Sequence, residues 1–223
     1  MPPHIATLFD FNGVLVDDEA VHLAAFRDVV APLGITLSDA TYAERYLGFD
    51  DRGAFEAMLR DAGHEPTEAE IARLVAAKVP LYMDRARREL VIYPGAAELV
   101  ARRASQAPVG IVSGALRHEI EFALDRMGIT SAVSFVVSAE DTKACKPDPE
   151  GYLLARAKLG ADVPAVVIED SIAGVQSARR AGLRCVAVMH TYGADELLGA
   201  GAEVAIEKIA YATDRILDGM DED

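Results

Sequence analysis

One short apolar run, Ile5-Ala6-Thr7-Leu8-Phe9, stands alone near the N-terminus, and no second convincing strand follows until after Tyr93-Pro94-Gly95. A run this short and apolar, ending at Asp10, reads as a strand buried on both faces of a parallel sheet. From Asp17 to about Arg88 the spacing is instead helical. Val21, Ala24, Ala25 and Val29 fall on one face, and further helical runs occupy 38–47, 51–62 and 67–88, punctuated by Gly34, Gly48, Gly63 and Pro66. This stretch is expected to form a small bundle of about four helices. After Gly95 strand and helix alternate, with strands expected at 109–112, 135–138, 165–168 and 185–188 and a weaker one at 203–206. Such alternation builds parallel sheets from βαβ units. The predicted fold is therefore an α/β core, residues 1–16 and 94–223, interrupted after its first strand by a helical domain, 17–93.

Composition narrows the function. The chain has 36 acidic and 22 basic residues, a formal charge of −14. It repels nucleic acid and anionic membranes, where Lys and Arg supply most non-specific affinity, so any phosphate must be met by local groups. The absence of Trp and an aromatic content of 6% argue against a β-sandwich or an interface-rich binder. Cys145 and Cys185 could form at most one bridge and resemble neither a disulfide framework nor a zinc site. No apolar stretch approaches the roughly 20 residues of a membrane span, and Met1-Pro2-Pro3-His4 lacks a basic leader region. A soluble, cytoplasmic, monomeric protein acting on a small molecule, with no nucleic-acid or membrane partner, is expected.

Ligands of open parallel sheets bind beyond the carboxyl ends of the strands. Strand one leads to Asp10-Phe11-Asn12-Gly13, the second to Ser113-Gly114, the third through Glu140-Asp141 to Lys146-Pro147, and the fourth to Glu169-Asp170-Ser171. Three carboxylates, a hydroxyl and an ammonium converging on one edge suit phosphoryl transfer. A carboxylate attacks phosphorus while a cation and fixed positive charge neutralise the phosphate oxygens. Asp10, Glu169 and Asp170 would repel one another without a cation, and an all-oxygen set of this kind favours Mg2+. Lys146 can lie against Asp10 and hold it ionised. Ser113 and backbone N–H groups near Gly114 and Ala115 can donate to phosphate, with a helix N-terminus behind them. Each residue also has a plainer reading. Asp and Ser after strands are ordinary helix caps, Lys146-Pro147 could be a solvated turn, and Asp17-Asp18-Glu19 reads first as helix-terminal charge. His4, His64 and His190 have no evident partners, Cys145 is expected to be inert, and 218–223 is expected to be a solvated acidic tail.

Four motifs in order, Asp10-Phe11-Asn12-Gly13-Val14-Leu15, Ile111-Val112-Ser113-Gly114, Lys146-Pro147-Asp148-Pro149-Glu150 and Ile168-Glu169-Asp170-Ser171 with Gly174-Val175-Gln176-Ser177-Ala178, together span most of the chain. The sequence resembles the haloacid dehalogenase superfamily of phosphotransferases, and within it the β-phosphoglucomutase-like group. The resemblance implies a Rossmann-like core with an inserted α-helical cap closing over the substrate. It makes Asp10 the nucleophile of an aspartyl-phosphate, with Ser113 and Lys146 holding the phosphoryl group. Asp170 and Glu169 would anchor Mg2+, with the backbone carbonyl of Asn12. In the cap it implies that His22 and Lys78 face the substrate, although a single Lys on an amphipathic helix is ordinarily solvated.

Two departures from the family stand out. The family's phosphatases and mutases carry a second Asp two residues after the nucleophile as general acid and base; here it is Asn12, and an amide cannot exchange that proton. General acid–base assistance is worth about 10² to 10⁴ in rate, so turnover of poor leaving groups should fall accordingly. The mutases also place a phosphate-gripping Arg in the cap, where this chain has Asp51, with Arg52 one residue further on. A bisphosphate-handling mutase is thereby disfavoured. The leading expectation is a Mg2+-dependent phosphatase acting on a small phosphorylated metabolite. The alternatives are an impaired phosphometabolite-binding or regulatory protein and, lower, a sugar-phosphate mutase, a dehalogenase, or a phosphonatase using Lys78.

Overall fold

The computed structural model describes residues 5–160 and 162–219; His4 and residues 220–223 of the tail lie outside them. The chain divides into two compact units, Met1–Val16 with Ile92–Asp223, and Asp17–Val91, so that Ile92 and Tyr93 belong with the α/β part rather than with the helices.

In chain order the elements are β1 (Ala6–Phe9), β2 (Val16–Asp17), α1 (Glu19–Val30), α2 (Asp39–Arg45), α3 (Asp51–Asp61), α4 (Glu68–Glu89), β3 (Val91–Ile92), α5 (Ala96–Ala104), β4 (Val109–Val112), α6 (Arg117–Met127), β5 (Phe135–Val137), α7 (Glu150–Leu159), β6 (Ala165–Glu169), α8 (Ile172–Arg180), β7 (Arg184–Val188), α9 (Ala194–Ala200), β8 (Val204–Ile206) and α10 (Asp214–Asp218).

In the α/β unit six strands form one sheet in the order β5-β4-β1-β6-β7-β8, every pair parallel. All of β1, β4 and β6 is buried, which is why these strands read as unbroken apolar runs and not as alternating ones. Each fully buried Leu, Ile or Val on them contributes about 1.5–3 kcal/mol. The chain reverses direction across the sheet at β1, whose neighbours are β4 and β6, and this creates the crevice in which such sheets bind ligands. Phe9 pairs with Ile111 and with Ile168, which brings Asp10 out at the same edge as Ser113 and Glu169. The tail is not wholly solvated: Asp218 takes a 2.8 Å hydrogen bond from Arg103, a buried side chain of α5 that also reaches Thr7 at 2.9 Å.

The helical unit is built on local caps. The Ser38, Asp50 and Thr67 side chains accept from the N–H groups of Thr41, Gly53 and Glu70, starting α2, α3 and α4 where the polar residues precede each apolar stripe. Its core gathers Phe26, Val30, Tyr42, Phe55, Met58, Leu59 and Leu74.

Candidate active site

Four strand ends of the α/β unit deliver the predicted side chains to one place. The Asp10 N–H donates to the Ile168 carbonyl (2.9 Å), continuing the sheet one residue past β1 and bringing Asp10 beside β6. Lys146, from the segment before α7, lies with Nζ 2.8 Å from Asp10 Oδ1 and 2.6 Å from Glu169 Oε1, and donates to the Val112 carbonyl at 3.2 Å. It is thus no solvated turn residue. Ser113 Oγ donates to Asn12 Oδ1 at 3.3 Å and accepts the Ala115 N–H at 3.1 Å. Of the backbone N–H groups anticipated near Gly114 and Ala115, that of Ala115 is taken by Ser113 Oγ, and at the start of α6 the N–H groups of Leu116 and Arg117 donate to the carboxylates of Glu119 and Glu140. Ser171 does cap α8, through the Gly174 N–H, so the plain reading of that residue is correct.

Glycines permit the close approach. Gly13 has φ +72°, and a Cβ there would lie 2.0 Å from Asp170 Oδ2. At Gly174 a Cβ would meet the Glu169 carboxylate, also at 2.0 Å. Neither position admits a side chain without displacing an acidic group of the site.

Asp10, Glu169 and Asp170 are buried, and each offers an oxygen within 4.8 Å of the others. Among the described residues, three carboxylates face the single ammonium of Lys146, and the imbalance is visible in their proton affinities. Burial, with the charge of Glu169 adding and Lys146 opposing, pushes the Asp10 carboxyl up to about 7. Burial, then Glu169 and Asp10, raise Asp170 well above the usual carboxylate range. For Lys146 burial alone would lower the value, but the two carboxylates beside it outweigh burial and raise it. Such a site holds too little positive charge for its carboxylates, and its donor atoms are oxygens, which fits a hard divalent cation such as Mg2+.

Further residues surround this cluster that sequence reasoning did not single out. The fully buried Tyr152 donates to Glu169 Oε1 at 2.8 Å, and its ring lies 5.4 Å from Lys146 Nζ. Thr191 donates to Asp170 Oδ2. His190, taken from the sequence as partnerless, bonds through Nδ1 to the Gly13 carbonyl at 2.7 Å and stacks on Tyr93. Contacts between segments so distant in the chain leave no mark in local sequence.

The helical unit gathers its own polar cluster. Lys78 is fully buried, not solvated: Nζ lies 2.6 Å from His22 Nδ1 and 2.5 Å from Asp51 Oδ1, and 4.5 Å from the centre of the Phe26 ring. His22 Nε2 lies 3.2 Å from Asp18 Oδ2, which also accepts the Tyr82 hydroxyl at 2.6 Å. Asp18 is therefore a buried acceptor, and its side chain makes no cap bond to α1. Arg52 does not join Lys78 and His22; it pairs with Glu68 at the surface. Asp51 is the residue of that segment that meets Lys78.

The family model for haloacid dehalogenase-like hydrolases matches residues 7–188. The chain belongs to this family of hydrolases. It is 32% identical over 211 residues to validoxylamine A 7'-phosphate phosphatase of Streptomyces hygroscopicus subsp. limoneus, covering 91% of this chain and 92% of that one. It is 30% identical over 187 residues to hexitol phosphatase B of Escherichia coli K12, covering 82% and 83%. The crystal structure of CbbY from Rhodobacter sphaeroides in complex with phosphate superposes with a TM-score of 0.79 at 27% identity, over 92% of this chain and 95% of that one.

Proposed function

We propose that the protein is a Mg2+-dependent phosphatase of a small phosphorylated metabolite, working through an aspartyl-phosphate on Asp10. The observation that carries this reading is the buried Asp10–Lys146–Glu169–Asp170 cluster, in which one ammonium faces three carboxylates. Names of relatives that act on a validoxylamine phosphate and on hexitol phosphates support the substrate class.

Asp10, Asp170 and Glu169, with the Asn12 carbonyl, would hold the ion, and a bound Mg2+ supplies charge neutralisation for the carboxylates and a phosphate oxygen. In the first step a carboxylate oxygen of Asp10 bonds to phosphorus as the bond from phosphorus to the leaving oxygen breaks. Lys146 and Ser113 Oγ hold the phosphoryl oxygens and stabilise the charge developing on them. Water then attacks the phosphoryl group, releasing inorganic phosphate and restoring Asp10. Asn12 can donate a hydrogen bond from its amide but cannot transfer a proton, so the departing oxygen takes its proton from water. Esters with good leaving groups are therefore favoured.

Phosphate release from p-nitrophenyl phosphate, acetyl phosphate and hexitol phosphates in the presence of Mg2+ tests the reading. Release that Asp10→Asn abolishes is expected, and absence of any such release overturns it. Binding without turnover is the second reading, favoured by Asn12. It would replace the first if calorimetry detected Mg2+-dependent binding of a sugar phosphate, no ester were turned over, and Asn12→Asp gained no activity.

A further inference from the structure

His190 follows β7 and takes no part in the chemistry above, yet it is built into the turn that carries Asn12. A carbonyl oxygen only accepts, so the 2.7 Å contact with the Gly13 carbonyl places a hydrogen on Nδ1. The ring stacks on Tyr93 with centroids 3.9 Å apart and planes 17° apart. The Tyr93 N–H in turn donates to the Leu15 carbonyl at 3.0 Å, and the Leu15 N–H to the Phe11 carbonyl at 2.8 Å. These contacts close a ring around residues 11–15. Gly13 within that ring is the residue packed directly against Asp170 Oδ2, and Thr191, the next residue after His190, donates to that same oxygen. Two consecutive residues thus grip the site from both sides, one on the turn after β1 and one on the carboxylate after β6.

We propose that His190 is a positioning residue for the cation site: by donating from Nδ1 to the Gly13 carbonyl it fixes the 11–13 peptides, and with them the Asn12 carbonyl, beside Asp10 and Asp170. The role needs a hydrogen-bond donor at that point and not a charge. It deepens the Mg2+ reading above and rests on it. Groups that orient a metal's ligands are typically worth 10- to 100-fold in affinity.

The test is calorimetric titration of the whole protein with Mg2+ alone, alongside its thermal unfolding in EDTA. His190→Leu, which removes the donor, is expected to weaken Mg2+ binding by about 10-fold or more. His190→Asn, whose amide nitrogen can stand where Nδ1 stood, is expected to bind within about threefold of the parent. At saturating Mg2+ the KM for p-nitrophenyl phosphate should change little in either variant. Equal Mg2+ affinity in the parent and a folded His190→Leu overturns the proposal, as does a folded His190→Asn that binds as weakly as His190→Leu. If His190→Leu does not fold, the His190→Asn result alone decides. A parent protein that takes up no Mg2+ refutes the metal reading itself, which separates the two failures.

Discussion

Replacing Asn12 by Asp changes one atom of a side chain whose Oδ1 already accepts from Ser113 at 3.3 Å. The aspartate can keep that hydrogen bond and add what the amide lacks, a group able to give a proton to the leaving oxygen and take one from water. Such assistance is worth about 10² to 10⁴ in rate, or roughly 3–5 kcal/mol of barrier. The benefit depends on the leaving group. An alkoxide departing from a hexitol phosphate needs its proton as the bond breaks, whereas acetate departs readily without one. Asn12→Asp is therefore expected to raise kcat/KM at least about 100-fold on hexitol phosphates and less than about 10-fold on acetyl phosphate. A fourth carboxylate joins a site already short of positive charge, so the variant should unfold at lower temperature than the parent in EDTA and regain stability with Mg2+. Phosphate release across a series of esters, with kcat/KM plotted against leaving-group pKa, measures the effect. A uniform change along the series, or none for the poor leaving groups, would refute the view that a missing proton carrier limits the rate.

Other outcomes follow from the same geometry. Gly13→Ala forces a methyl group to 2.0 Å from Asp170 Oδ2 at a φ of +72°, and should abolish calorimetric Mg2+ uptake while the far-ultraviolet spectrum stays that of the parent. Lys78→Met removes the cation buried between Asp51 and His22, and breaking such a buried pair costs about 3–5 kcal/mol; urea denaturation should show a loss of that size, and a change below about 1 kcal/mol would contradict the role given to Lys78. A carboxyl whose pKa is raised on folding contributes stability at low pH that is lost as pH rises towards the raised value. In EDTA the contribution of Asp10 should therefore decline between about pH 4 and pH 7, by about 1.4 kcal/mol per pH unit at most. Denaturation at pH 5 and at pH 8 should accordingly show a steeper loss for the parent than for Asp10→Asn.

The parallel core was legible because strands buried on both faces must be apolar throughout: 109–112 coincides with β4, and 165–168 falls one residue short of β6, which ends on Glu169. The helical runs were legible from their apolar spacing and from the Gly and Pro residues between them, whereas the capping side chains Ser38, Asp50 and Thr67 emerge only in the fold. The residues placed together by the active site, Asp10, Asn12, Ser113, Lys146, Glu169 and Asp170, could be named because each follows a strand or lies in a motif. Lys78 could not be read as buried. On an amphipathic helix it looks like any solvated lysine, and the groups that make its burial tolerable, His22 and Asp51, lie 56 and 27 residues away. His190 escaped for the same reason, since its hydrogen-bond partner is 177 residues distant. Asp18 was misread because an acidic residue before a helix ordinarily serves the helix end, whereas here the Tyr82 hydroxyl and His22 draw its carboxylate inward.

The claim on which the chemistry depends is that Asp10 carries the phosphoryl group. Rapid acid quenching of the protein during turnover of acetyl phosphate with Mg2+, followed by peptide mass spectrometry, reads this directly. The phosphoryl group is predicted on the peptide containing Asp10, labile to hydroxylamine and absent from Asp10→Asn. Phosphoryl transfer to another residue, or continued turnover by Asp10→Asn, would contradict it.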